Sequence, residues 1–342
     1  MSESSNIDKQ TVMHSETKIK EIFQDVLEVE KSKDYLNLNH NSSKLAINLS
    51  LTVKDRNLIS ELIAKEYPFK KVMKQQGNLL EFSSNESTEN IVKKLSTDGF
   101  YVLEDKLNDV VCEQIKSRLE KIPYRIRGVK KDIVGITEQN IGKHKANAIW
   151  AINQNDIVQI PEIQRIAFDE RILNVVGTFF GSAPILCQTN SWWSKNHSNH
   201  RSNLSGNAQL YHQDVEYLKF IKVFVYLNDV GEKNGPHKYV KGSATIAEDK
   251  LGTGYSLSSR VDDETVKELF GEENIISFEG KKGTIIIENT LGLHKGVPVV
   301  EGARLLLQLE YANSLYLDST QFFESKHLLS SVKKLETTQR NP

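Results

Sequence analysis

Between Pro184 and Ala312 the chain breaks into seven short runs rich in β-branched and aromatic residues: PILCQTNSWW, AQLYHQDVE, KVFVYLNDV, HKYVKGS, NIISFEG, GTIIIENT and ARLLLQLEYA. Turn sequences such as EKNGP, EGKKG and EGAR separate them. Seven short strands in roughly 130 residues suggest a sandwich or barrel. The fold class is therefore mainly β with flanking helices.

The helices lie ahead of this region. TKIKEIFQDVLEVEKSK carries Ile19, Ile22, Phe23, Val26 and Leu27 at helical spacing, and KDRNLISELIAKEYPF places Leu58, Ile59, Leu62 and Ile63 on one side before Pro68. From Gly99, GFYVLED predicts a strand, and NDVVCEQIKSRLEKIP predicts a helix with Val110, Val111, Ile115, Leu119 and Ile122 on its apolar face. PEIQRIAFDERILNVVGTFFG continues as helix, with Asp169 as N-cap and Gly181 as stop. Residues 1–90 read as an N-terminal helical accessory segment, 91–325 as the main domain and 326–342 as a C-terminal tail.

At 342 residues and 38% hydrophobic content the chain can fill a substantial core. Forty-four basic against 45 acidic residues leave a net charge of -1, so no bulk field draws it to nucleic acid or an anionic membrane. A small-molecule partner is expected. The two cysteines, Cys112 and Cys187, form neither a disulfide framework nor a metal-type pair, as suits a cytoplasmic protein. The start shows no signal-peptide pattern, and no stretch has the length of apolar sequence that a membrane span requires. There is no internal repeat; GTGYS at 252–256 lacks the strand and helix that a phosphate loop needs.

His212 and Asp214 stand at i, i+2 in AQLYHQDVE, where a strand would aim an imidazole and a carboxylate into one space. The pair alone is weak: nine histidines among so many acids give about one His-x-acid by accident, and His14-Ser15-Glu16 is such an accident. His294, between two strand-like runs, offers a third ligand. Two imidazoles and a carboxylate on one face of a metal leave the opposite positions open, which suits non-haem Fe(II) and a bidentate cosubstrate; structural zinc would need a fourth ligand. Arg304, ten residues on within GARLLLQL, has nearly all-apolar neighbours. A guanidinium there needs an anion, and the distal carboxylate of 2-oxoglutarate fits its planar fork.

With these residues in hand, residues 95–316 resemble the phytanoyl-CoA dioxygenase family of Fe(II)- and 2-oxoglutarate-dependent oxygenases. The resemblance rests on GFYVLEDKLNDVVCEQIKSRLEKI, the His212-x-Asp214 strand, VYLNDVGEKNGPHKYVKGS, and the His294 to Arg304 pair. It implies a double-stranded β-helix (jelly-roll, cupin-like) core, iron held by His212, Asp214 and His294, and the cosubstrate's far carboxylate gripped by Arg304. Gln209 is a weaker candidate for cosubstrate or substrate contact. Retention of Asp214 favours hydroxylation over halogenation, with succinate and CO2 released. Two departures stand out: KGSA at Lys241–Ala244 where members commonly read PGSH, and Gly296 where many carry a serine.

Other polar residues have plainer expectations. His237 in NGPH reads as a turn residue, and Lys222 as a solvated lysine at a strand end. His197 and His200 belong to a polar loop of a length that would suit a lid. Gln188, Asn190 and Trp192 share one strand face, with Trp193 opposite. The N-terminal helices could serve a homo-oligomer. A cupin-like metal enzyme without 2-oxoglutarate, or a non-catalytic binding protein on the same fold, are the alternatives.

Overall fold

The computed structural model describes residues 14–32, 47, 49–72, 80–81, 86–126, 132–141, 143, 149–196, 209–252, 255–257 and 259–316. Helices α1 (Glu16–Ser32) and α2 (Val53–Glu66) come first, followed by α3 (Thr88–Asp98), β1 (Phe100–Val102) and α4 (Asp109–Leu119). Strands β2 (Tyr124–Ile126), β3 (Asp132–Ile133) and β4 (Ile149–Ile152) precede α5 (Pro161–Ala167) and α6 (Glu170–Phe180). Asp169 caps α6 by accepting from the Arg171 amide, and Gly181 ends it in the left-handed conformation, as the sequence predicts. The helical zone is divided at Phe168, where the chain leaves helical geometry.

The remaining elements are β5 (Ile185–Lys195), β6 (Phe220–Tyr226), β7 (His237–Val240), α7 (Ser243–Leu251), α8 (Asp263–Phe270), β8 (Ile275–Phe278), β9 (Ile285–Glu288), β10 (His294–Gly296) and β11 (Ala303–Ala312). They form two facing antiparallel sheets. The large one runs β1-β9-β6-β11-β5-β4-β2-β3, and the small one β8-β7-β10. Backbone bridges from Tyr211 to Val261 and from His212 to His294 attach a fourth segment to the small sheet. This is the jelly-roll, double-stranded β-helix arrangement. Six predicted strands are present; AQLYHQDVE makes only these bridges, because the chain turns away after each short contact.

Strand parity divides the core. Ile221, Val223, Val225, Ile285, Ile287, Leu305, Leu307 and Leu309 face the helices, packing with Ile115, Leu119, Ile163, Ile172 and Val176. On the opposite face Trp192, Phe224, Tyr226, Ile286 and Leu306 meet Tyr239 and Phe278 of the small sheet. Each such aliphatic burial contributes about 1.5–3 kcal/mol, so strands buried on both sides anchor the fold. Trp193 is fully buried in the helical layer, opposite in parity to Trp192. In α4 the apolar face is rotated from the predicted one: Cys112, Ile115 and Leu119 are buried, whereas Val110 is exposed.

The N-terminal helices do not stand apart. Ile19, Ile22 and Val26 of α1 and Ile59 and Ile63 of α2 pack with Leu218 and Tyr316. Arg56 donates to the Tyr217 carbonyl at 2.8 Å, and Glu30 accepts from the Ser314 hydroxyl at 2.7 Å and the Leu315 amide at 3.0 Å. Among the described residues no helix is long and apolar enough to cross a membrane. His197, His200 and the tail 326–342 lie outside the described residues.

Candidate metal centre

His212 and His294 face each other across a backbone bridge in which each amide donates to the other's carbonyl, at 3.1 and 3.0 Å. The Asp214 amide donates to the Thr290 carbonyl at 2.9 Å. These three bonds fix the relative position of two segments eighty residues apart in sequence. Side-chain orientation is fixed locally: His212 Nδ1 lies 2.9 Å from the Leu210 carbonyl, and His294 Nδ1 lies 2.9 Å from the Gly292 carbonyl. A carbonyl can only accept, so each Nδ1 carries a proton and each Nε2 is the nitrogen turned toward Asp214.

The two Nε2 atoms converge on Asp214, His294 at 3.1 Å from Oδ2 and His212 at 3.7 Å from Oδ1. The ring centroids are 4.3 Å apart. All three ligand atoms lie within 4.8 Å of one another, a grouping able to hold a metal ion. Ligands about 2.1 Å from an ion and at right angles stand about 3 Å apart, so small adjustments suffice.

The electrostatics match a cation site. Burial, reinforced by His294, holds the His212 imidazole down at about 3, hence neutral. Burial works the same way on His294, but the Asp214 carboxylate outweighs it and the imidazole titrates above its usual range. Asp214 is held well below the carboxylate range: burial opposes this, and Lys222 and His294 overcome it.

Lys222 corrects the expectation of a solvated strand-end lysine. It has the same parity on β6 as Phe224 and Tyr226, so it points between the sheets, is buried, and lies 2.7 Å from Asp214 Oδ2. Glu216 and Glu310 lie 3.4 and 3.7 Å from its ammonium. His237 also departs from its expected turn. It opens β7, is buried with its Nε2 2.9 Å from Glu288, and stacks on His294 at 5.5 Å. Burial pushes the Glu288 carboxyl up to about 8, so this acid is protonated at neutral pH. The signal for Glu288 and Glu310 was present as acids inside the apolar runs TIIIENT and LLLQLEYA.

Arg304 is buried and points into the same interior, hydrogen-bonding the Gly235 carbonyl and, at 3.3 Å, the Ser194 hydroxyl. Among the described residues no carboxylate pairs with it, and its Nε has no partner. Burial holds the His237 imidazole well below its usual range, and the nearby charges of His294 and Arg304 push it the same way. Gln209 is buried with its side-chain oxygen unpartnered. An unsatisfied buried donor such as the Arg304 Nε–H fits an anionic ligand, and the Gln209 oxygen fits a hydrogen-bond donor.

Sequence comparison agrees with this chemistry. A family model described as phytanoyl-CoA dioxygenase matches residues 95–300. Among curated proteins no sequence matches significantly. Similar solved structures include HygX from Streptomyces hygroscopicus with nickel and 2-oxoglutarate bound, at 17% identity and a TM-score of 0.44 over 70% of this chain and 90% of that one. EctD from S. alaskensis with 2-oxoglutarate and 5-hydroxyectoine is 16% identical, with a TM-score of 0.47 over 78% and 96%. The epimerase SnoN in complex with Fe3+, alpha ketoglutarate and nogalamycin RO is 13% identical, with a TM-score of 0.48 over 72% and 88%. With most of the matched span folded around a two-histidine, one-aspartate cluster, the chain belongs to the phytanoyl-CoA dioxygenase family and is an iron- and 2-oxoglutarate-dependent oxygenase.

Proposed function

We propose that this oxygenase hydroxylates a C–H bond of a small-molecule substrate, with 2-oxoglutarate converted to succinate and CO2. In this reading His212, Asp214 and His294 hold the iron, Arg304 takes the far carboxylate of 2-oxoglutarate, and Gln209 contacts cosubstrate or substrate. The observation that carries it is the convergence of three ligand atoms within 4.8 Å, with a buried guanidinium that has no carboxylate partner among the described residues on the same interior face. Iron supplies an open-sided redox centre at which 2-oxoglutarate and dioxygen react.

The chain's own residues do the rest. Backbone carbonyls at Leu210 and Gly292 keep both imidazoles turned with Nε2 inward, so ligation costs little reorientation. Arg304 orients the cosubstrate from the other end, where a fork of parallel donors matches a carboxylate. Phe224, Tyr226, Ile286 and Leu306 line the space between the sheets and exclude water from it. A near-neutral net charge favours a small substrate over a polyanion. Two buried thiols, Cys112 and Cys187, suit a cytoplasmic setting.

The test is anaerobic addition of Fe(II) and 2-oxoglutarate, followed by air. A visible charge-transfer band and then succinate release are expected, both lost in His212→Ala. Incubation with a metabolite extract should yield a product one oxygen atom heavier. Succinate release unchanged in His212→Ala, Asp214→Ala and His294→Ala would refute the ligand assignment.

A further inference from the structure

We propose that Lys222 is a positioning residue that keeps Asp214 a one-oxygen ligand, leaving a coordination place open for cosubstrate; this rests on the ligand reading above. A carboxylate beside a metal can offer one oxygen or both. The two oxygens of Asp214 have unequal surroundings. Oδ2 accepts from the Lys222 ammonium at 2.7 Å and also faces His294 Nε2 at 3.1 Å, whereas the nearest such contact of Oδ1 is His212 Nε2 at 3.7 Å. A charge-assisted bond of that length occupies Oδ2 and leaves Oδ1 as the better donor to an ion.

Lys222 is itself held so that it cannot swing away. It stands on β6 directly across from Glu288 of β9 and Glu310 of β11. Glu310 Oε2 is 3.7 Å from the ammonium and is also hydrogen-bonded by Gln308 at 3.3 Å. Glu216 Oε1 is at 3.4 Å on the other side. A buried ammonium is costly without partners, and its shortest contact is to Asp214, so the cost is best offset when the lysine stays beside that carboxylate.

Lys222→Met/Glu310→Gln removes one charge of each sign and so separates position from net charge. Each protein is titrated with Co(II), followed by its visible d–d bands, and then with 2-oxoglutarate by calorimetry. The wild type should take up one equivalent of Co(II), and His212→Ala should not. The double variant should still take up one equivalent, with shifted bands as the second Asp214 oxygen joins the ion, and should bind 2-oxoglutarate about tenfold more weakly. Lys222→Arg, which keeps a donor beside Oδ2, should recover the wild-type bands. Wild-type bands and wild-type 2-oxoglutarate affinity in the double variant would overturn the proposal. So would a joint fall in Co(II) affinity, 2-oxoglutarate affinity and melting temperature, which marks a merely structural role. A wild type that binds no Co(II), or a His212→Ala protein that binds it equally, would instead refute the ligand reading.

Discussion

Arg304→Leu is expected to uncouple cosubstrate binding from folding. In the apo protein the guanidinium is buried, with hydrogen bonds to Gly235 and Ser194 and no carboxylate partner among the described residues. Removing it relieves a desolvation penalty of several kcal/mol. It also leaves two acceptors short of a donor, at about 1–3 kcal/mol each. The two effects nearly cancel, so the apo melting temperature should move by only a few degrees. Binding behaves differently, because the anion then enters a buried site without its counter-charge. Loss of such a pair costs about 3–5 kcal/mol, which at about 1.4 kcal/mol per decade raises the 2-oxoglutarate Kd by roughly two to three and a half orders of magnitude. Calorimetry on the Fe(II)-loaded, oxygen-free protein measures this directly. Thermal melts give a second readout: 2-oxoglutarate at a hundred times the wild-type Kd should stabilise the wild type by about 2.7 kcal/mol and the variant by no more than about 0.4 kcal/mol. A variant Kd within tenfold of wild type would refute the clamp.

Metal uptake should weaken in acid. His294 titrates above its usual range in the apo protein and must lose its proton to ligate, so below that pKa Co(II) affinity should fall about tenfold per pH unit; a flat profile from pH 5 to 8 would contradict this. Trp193→Ala, which empties a fully buried site under the helices, should cost about 3–5 kcal/mol in urea unfolding. Trp192→Ala, at a half-buried position on the inner face, should cost less and alter turnover more. Ile59→Ala at the buried α2 contact should cost about 2–5 kcal/mol, and a loss below 1 kcal/mol would show the N-terminal helices to be loosely attached.

The strands of the core were legible because period-two runs with turn punctuation have few other solutions, and six formed as read. AQLYHQDVE was misread as a full strand, since only Tyr211 and His212 pair and sequence cannot show where a partner segment departs. The candidate ligands were legible from residue type and context together. Lys222, His237, Glu288 and Glu310 were not recognised, although parity placed Lys222 with Phe224 and Tyr226. Charged residues inside apolar strands could have been questioned, but their partners lie on other strands and depend on register. Val110 was misplaced because α4 offers more apolar positions than its neighbours cover.

The attachment of α1 has a consequence for biosynthesis. Glu30 is bonded to Ser314 and Leu315 across 284 and 285 residues of sequence. Helix α1 must therefore wait to complete its packing until the 284 residues that follow Glu30 have been made. Nascent chains arrested before Leu315 should be protease-sensitive in α1, whereas chains in which Leu315 has cleared the ribosome should protect it.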